Sequence, residues 1–192
     1  MRCAVELRGV VKSFHAGAGS CRASSTVLRG IDLTLEEGEL VSVSGARGAG
    51  TSTLLLCAAG LLVPDAGHIA WFGDRTRAAA VERARYIAAG SVPNPFRQAN
   101  APITPNSRST AVRCALPILL VDAPLGLDAP ARAWLARRRS RGHAILLATH
   151  DASVAARDVD RSFQLRDGLL HPGQAASARV AEQEWREAAR IR

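Results

Sequence analysis

A chain of 192 residues, 47% of them hydrophobic, has room for one α/β domain with a sizeable core and not for two. The net charge of +8 raises the question of nucleic acid or an anionic membrane face, with Arg137 to Arg141 (RRRSR) the densest patch, but Lys12 is the sole lysine and the few aromatic residues are not interleaved with the arginines, which argues against a nucleic-acid surface. The longest apolar run, Leu54 to Val63, has ten residues where a membrane span needs about 20, so membrane association is expected only through a partner.

The N-terminal stretch MRCAVELRGVV lacks the charged start and sustained apolar run of an export signal and alternates like an edge strand, so the chain is expected to stay in the cytoplasm. Val5 to Val10 and Val27 to Leu35 read as half-buried strands, separated by a flexible Gly/Ser/Ala-rich loop from Ala16 to Ser25. Gly38 then makes a turn, Leu40 to Ser44 is a buried strand, and TSTLLLCAAGLL from Thr51 is a buried helix stopped by Gly60 and followed by a turn at Pro64 to Gly67. Ala88 to Thr110 is aperiodic and reads as loop or disorder. Beyond it come a short apolar strand, Ile118 to Val121, ending in Asp122, a helix from about Pro130 to Arg139, and a buried strand, Ala144 to Ala148, ending at His150. Residues 175–192 have alternating charges and read as a surface helix or tail. Cys3, Cys21, Cys57 and Cys114 lie far apart without metal-ligand spacing and read as reduced packing residues.

Alternating strands and helices imply an α/β fold with a parallel sheet, here preceded by an antiparallel part. Ligands of such sheets gather at the carboxyl ends of strands, where the loop at Gly45, Asp122 and His150 would all fall. That loop, Gly45-Ala46-Arg47-Gly48-Ala49-Gly50-Thr51-Ser52-Thr53, matches a phosphate-binding loop at every fixed place except Thr51, where a lysine is expected. The glycines let backbone N–H groups wrap a β-phosphate, the following helix aims its positive end at it, and Ser52 can ligate magnesium. Thr51 removes the cation that would bridge the β- and γ-phosphates, so binding is expected to weaken rather than vanish. Arg47 reads first as a solvated loop arginine and second as a substitute cation.

With these residues in place the chain resembles the nucleotide-binding subunit of an ATP-binding-cassette (ABC) transporter, a P-loop NTPase fold, over roughly Val5 to Gly168. Five landmarks occur in family order: LRGVVKSF with Phe14 where the family stacks an aromatic on adenine; GARGAGTST as Walker A; ILLVD as Walker B, ending in Asp122; GLD, Gly126 to Asp128, as the D-loop; and LLATHD with His150 as the switch histidine. The resemblance implies ATP and Mg2+ as cofactors, with Phe14 and Gly45 to Thr53 holding nucleotide, Ser52 and Asp122 serving the metal, and Asp122, Asp128 and His150 taking catalytic roles. It also implies a head-to-tail pair with a second nucleotide-binding subunit, a transmembrane permease as partner, and a peripheral place on the inner face of the cell membrane.

The sequence departs from the family where hydrolysis is concerned. Ala123 stands where the family carries the glutamate that polarises the attacking water, a loss of general-base assistance worth about 10² to 10⁴-fold. No LSGGQ-type signature is recognisable between Arg85 and Asp122, and too few residues remain there to build the helical subdomain that carries it. Gln98, in SVPNPFRQAN, is not taken as the family's Q-loop glutamine because no strand is evident before it. Ala115 to Ile118 (ALPI) is also what the closing bases of a widely used sequencing adapter encode, so the segment before Ile118 has two readings, a natural lead into Walker B and a misjoined read. The expectation is a degenerate or truncated ATP-binding subunit, with a nucleotide-binding domain over residues 1–170, irregular over 88–117, and a tail over 171–192. The alternatives are a non-hydrolysing regulatory pseudo-ATPase and a basic nucleic-acid-binding protein.

Overall fold

The computed structural model describes residues 2–16, 23–88, 117–123, 127–151 and 159–173. Two sheets make up the fold. The first is antiparallel and orders β1 (Cys3–Ala16), β2 (Ala23–Glu36) and β4 (Ala66–Trp71) as β2-β1-β4. The second orders β5 (Ala84–Ile87), β6 (Ile118–Asp122), β7 (Ala144–Thr149), β3 (Leu40–Ser44), β8 (Arg161–Arg166) and β9 (Leu169–Pro172) as β5-β6-β7-β3-β8-β9, parallel throughout except for the β8–β9 hairpin. The described helices are α1 (Thr51–Ala58), α2 (Arg77–Arg83) and α3 (Ala129–Arg139).

The central strands β3, β6 and β7 are buried at every position, as strands covered on both faces must be, which is why β6 and β7 read as apolar runs and β3 admits only the small polar Ser42 and Ser44 between its apolar residues. One core cluster joins the two sheets: Leu7, Val10, Leu28 and Leu35 from the antiparallel part pack with Val41, Leu54, Leu55, Leu120 and Leu146. A second core, on the other face, gathers Leu119, Val121, Ile145 and Leu147 around Trp134 and Leu135 of α3. Trp71 fixes α1 to β4, its indole N–H donating to the Ala58 carbonyl at 2.7 Å. The end of α1 follows the Schellman pattern: Gly60 has φ +68°, its N–H bonds the Cys57 carbonyl, and Leu61 N–H bonds the Leu56 carbonyl.

Several expectations are corrected. β1 is the middle strand of its sheet, not an edge, because β4 returns to pair with its far side. The stretch Pro64 to Gly67 is a turn only in its first half, since β4 begins at Ala66; a Cβ on Gly67 would lie 2.3 Å from the Gly9 carbonyl oxygen, so glycine permits the close approach of β1 and β4 there. The hairpin strands extend to Ala16 and Ala23, which narrows the expected loop to residues 17–22, outside the described residues. Cys3 is exposed at the first position of β1 rather than packed, whereas Cys57 is buried and burial pushes its thiol up to about 11. Cys21 and Cys114, the segment 89–116 with Gln98, and the tail beyond 173 lie outside the described residues. A strand does precede that segment: β5 ends at Ile87.

Polar ties fix the starting ends of the parallel strands. Arg161 at the head of β8 forks onto Glu39 and also donates to the Thr34 carbonyl of β2, while Glu39 Oε2 accepts from the Glu36 amide at 2.8 Å. Asp160 accepts from Leu40 N–H at 3.0 Å and pairs with Arg139 at the end of α3. The Glu39 side chain is 11% exposed, so its loss leaves a charge and an amide short of their acceptor. Glu39→Ala is expected to lower the unfolding free energy by about 2 kcal/mol, within the range for charged hydrogen bonds, and Glu39→Gln by less; urea unfolding with an unchanged m-value is the check.

Candidate functional site

Parallel register brings the sequence motifs to one end of the sheet. Asp122 of β6 is level with Ala148 of β7, and Val43 of β3 is level with the same residue, so the ends of three adjacent strands lie side by side at spacings of about 4.8 Å. The glycine loop leaves β3 at this end and His150 leaves β7.

The loop is anchored at Gly45. Its N–H donates to the Thr149 carbonyl at 3.2 Å, and its own carbonyl lies 2.9 Å from His150 Nδ1. A carbonyl only accepts, so Nδ1 carries the proton of this contact and Nε2 is left facing away from it. A Cβ on Gly45 would stand 3.0 Å from both the Ala49 methyl and the Leu165 carbonyl oxygen and 3.1 Å from Thr51 Cγ2, which only glycine avoids. Ala46, Arg47 and Gly48 are exposed, and Ala49 N–H turns back to the Ala46 carbonyl at 2.9 Å. Gly48 and Gly50 have φ of +86° and +103°, left-handed conformations that any other residue reaches only with strain. Gly50 caps α1 without a side-chain hydrogen bond, and no acidic residue occupies the first turn. The first amides of α1 are therefore left to whatever sits before them.

Thr51 is 3% exposed with its methyl group beneath the loop beside Gly45, so the position that would carry a cation is filled by a small packed side chain. Ser52, next on the helix, is exposed. Arg47 is exposed and forms no ion pair among the described residues. Asp122 is 7% exposed and Ala123 5%; the Ala123 amide donates to the Ala148 carbonyl at 2.8 Å, which holds the residue after Asp122 in line with β7. Phe14 is 44% exposed, with the Lys12 ammonium 5.8 Å from its ring centroid. Its partner across the hairpin is Ser25, and Val27, two residues further along β2, reaches the loop: a Cβ on Gly50 would meet Val27 Cγ1 at 2.4 Å. Asp128 does not join this group. It caps α3, accepting from Ala131 N–H at 2.8 Å.

One residue at the site was not anticipated. The hydroxyl of Tyr86 on β5 donates to Asp122 Oδ2 at 3.1 Å, and burial, reinforced by the Asp122 charge, pushes the phenol up to about 12. The only signal for it is that the chain's sole tyrosine falls in the four-residue strand beside β6.

The family model for ABC transporters matches residues 28–126, from β2 through the glycine loop to just past Asp122. The chain is 32% identical to the aliphatic sulfonates import ATP-binding protein SsuB 1 of Nocardia farcinica over 91% of this chain and 83% of that protein. That alignment runs over 211 positions, more than the 192 residues of this chain, so the relative carries residues that this chain lacks. The lipoprotein-releasing system ATP-binding protein LolD 1 of Caulobacter vibrioides is 48% identical over 37% of this chain and 29% of its own length. Several of the curated relatives are matched over only 28% to 37% of their length. Among solved structures, the ATP-binding cassette MJ0796, described as a dimeric post-hydrolysis state bound to ADP and Pi, superposes with a TM-score of 0.60 at 21% identity over 87% of this chain and 96% of that one. With the α/β sheet, the glycine loop between β3 and α1, and the family model covering both, this chain belongs to the ABC transporter family, in its ATP-binding cassette fold.

Proposed function

We propose that the chain is an ATP-binding subunit of an ABC transporter that holds Mg-ATP at Gly45 to Thr53, to power or regulate transport through a membrane permease, and that its own hydrolysis is impaired. The observation that carries this reading is the α1 start: Gly48 and Gly50 in left-handed backbone, no side-chain cap and no acidic residue in the first turn, which leaves backbone donors and a positive helix end for phosphate. The exposed Ser52 hydroxyl and the Asp122 carboxylate are hard oxygen donors, and magnesium is held by one or two such groups together with phosphates and water. Once bound, the ion neutralises charge on the β- and γ-phosphates. Phe14 offers an exposed ring to the adenine, and His150, fixed by Gly45, offers Nε2 at the γ-phosphate end. Asp128 serves the contact with a second subunit.

Two replacements support impaired turnover. At Thr51 a packed methyl group stands in place of a cation whose hydrogen bonds are worth roughly 1.5–3 kcal/mol. At Ala123 a methyl group stands in place of the carboxylate that would orient water. The family's second nucleotide-binding subunit, in a homo- or heterodimer, could supply the signature loop for which residues 89–116 leave little room only if it is a non-identical chain that carries one, and the permease would hold the pair at the inner face of the membrane. The same two replacements favour a second reading, a regulatory subunit that binds nucleotide and never hydrolyses it.

Calorimetric titration should show weak, magnesium-dependent ATP binding. Gly48→Val is expected to abolish it: a Cβ there meets nothing within 4 Å, so the fold survives, but a β-branched residue resists the positive φ and redirects the loop. A Gly48→Val chain that melts like the parent and still binds ATP with parental affinity removes this loop as the site.

Thr51→Lys is expected to tighten ATP binding by about tenfold or more, as the restored charge would supply at least 1.4 kcal/mol, while steady-state phosphate release stays below about 1 s⁻¹, the lower end of ordinary enzymatic rates. Release at about 1 s⁻¹ or faster from the unaltered chain alone contradicts the impairment and requires another group acting as base.

A further inference from the structure

Asp122 closes β6, and its only hydrogen-bonding side-chain partner among the described residues is Tyr86. The contact follows from sheet geometry. Tyr86 is level with Leu120 on the neighbouring parallel strand, and side chains at positions 120 and 122 share a face because strand side chains alternate. The phenol therefore runs along the sheet past Leu120 and ends against Asp122 Oδ2, two residues or roughly 6.6 Å further on. Tyr86 packs against the core that joins the two sheets, so the ring is held while the hydroxyl reaches the site.

The bond is suited to steering rather than neutralising. At 3.1 Å it is longer than the roughly 2.5–2.7 Å of a tight O–H···O⁻ contact, and a carboxylate has about four lone-pair sites, so a single donor on Oδ2 uses only part of the group's accepting capacity. An aspartate's terminal torsion is otherwise broad and two-fold, and β6 alone does not set the plane of the carboxylate.

We propose that Tyr86 is the positioning residue for Asp122, holding Oδ2 so that Oδ1 is presented in a fixed orientation to the hydrated magnesium ion. This rests on the Mg-ATP reading above and adds to it a residue that the reading does not use. Hydrogen-bond partners of metal-serving carboxylates typically matter by about 10–100-fold in metal affinity.

The test separates metal from nucleotide. ATP affinity is measured by calorimetry with saturating magnesium and again in EDTA, for the unaltered chain, Tyr86→Phe, Asp122→Asn and the double variant, with a thermal melt of each. Phenylalanine keeps the ring and its packing. Tyr86→Phe is expected to reduce the magnesium-dependent gain in affinity about tenfold and to leave the EDTA affinity and the melt unchanged. Asp122→Asn is expected to remove most of the gain, and Tyr86→Phe added to it to remove no more, the non-additivity of two groups acting as one unit. An unchanged magnesium gain in Tyr86→Phe overturns the proposal while the Mg-ATP site stands. Equal weakening with and without magnesium overturns it in favour of a purely structural tyrosine. An unaltered chain whose ATP affinity ignores magnesium overturns it because no metal is being served, and one that binds no ATP overturns the Mg-ATP site with it.

Discussion

The end of β7 holds Gly45 from both sides, through the Thr149 carbonyl on its N–H and the His150 ring on its carbonyl. The phosphate loop begins at this residue, so its path is set before the chain reaches Gly48. The arrangement works only because β3 and β7 are parallel and in register, Ser44 opposite Thr149, and only because residue 45 has no side chain to collide with Ala49, Thr51 and the Leu165 carbonyl. Both neighbours of β3 therefore shape the loop: β7 by hydrogen bonds, β8 by the space it denies.

Thr51 and Ala123, the two positions where the sequence departs from the family pattern, are well packed. Thr51 and Ala123 are almost fully buried, Thr51 under the loop and Ala123 tied to β7 by its amide. Exchanging a catalytic side chain for a small packed one relieves the cost of holding a charge out of water, and stability and activity commonly pull in opposite directions at such sites. The sheet, the loop and the helix start are intact around both positions.

What could be read from the sequence follows from how strongly each element is forced. The core strands β6 and β7 were legible because burial on both faces demands mostly apolar residues, β3 because it leads directly into the glycine loop, and α1 because that loop precedes it and Gly60 stops it. β4 and α2 were not. The first half of β4, Ala66 to His68, is exposed or half-buried, and its pairing with β1 lies far away in sequence. Seven residues of α2, rich in alanine, carry too little periodicity to separate helix from loop. β8 and β9 were passed over because their polar residues are used in the ties around Arg161 and in a hairpin edge. At the site, the loop, Asp122 and His150 were legible from motif order. Asp128 was singled out for a catalytic role, but its carboxylate is engaged in a helix cap, which the motif reading did not consider. Tyr86 was beyond reach, because its meeting with Asp122 depends on register between two strands separated by a long segment without periodicity.

Val27 stands between two glycines distant in sequence. Its side chain occupies the space a Cβ on Gly50 would need, and its carbonyl oxygen lies 3.0 Å from the place a Cβ on Gly168 would take, where the Arg29 amide also bonds the Gly168 carbonyl. The two restrictions differ in kind. The one at Gly50 is imposed partly by a side chain and would slacken in a lineage that first shortened residue 27. The one at Gly168 comes partly from main chain and survives any exchange at 27. Both glycines also have positive φ, +103° and +77°, so freeing space at residue 27 lifts only the steric part of the restriction at Gly50, and the backbone still holds glycine at both positions.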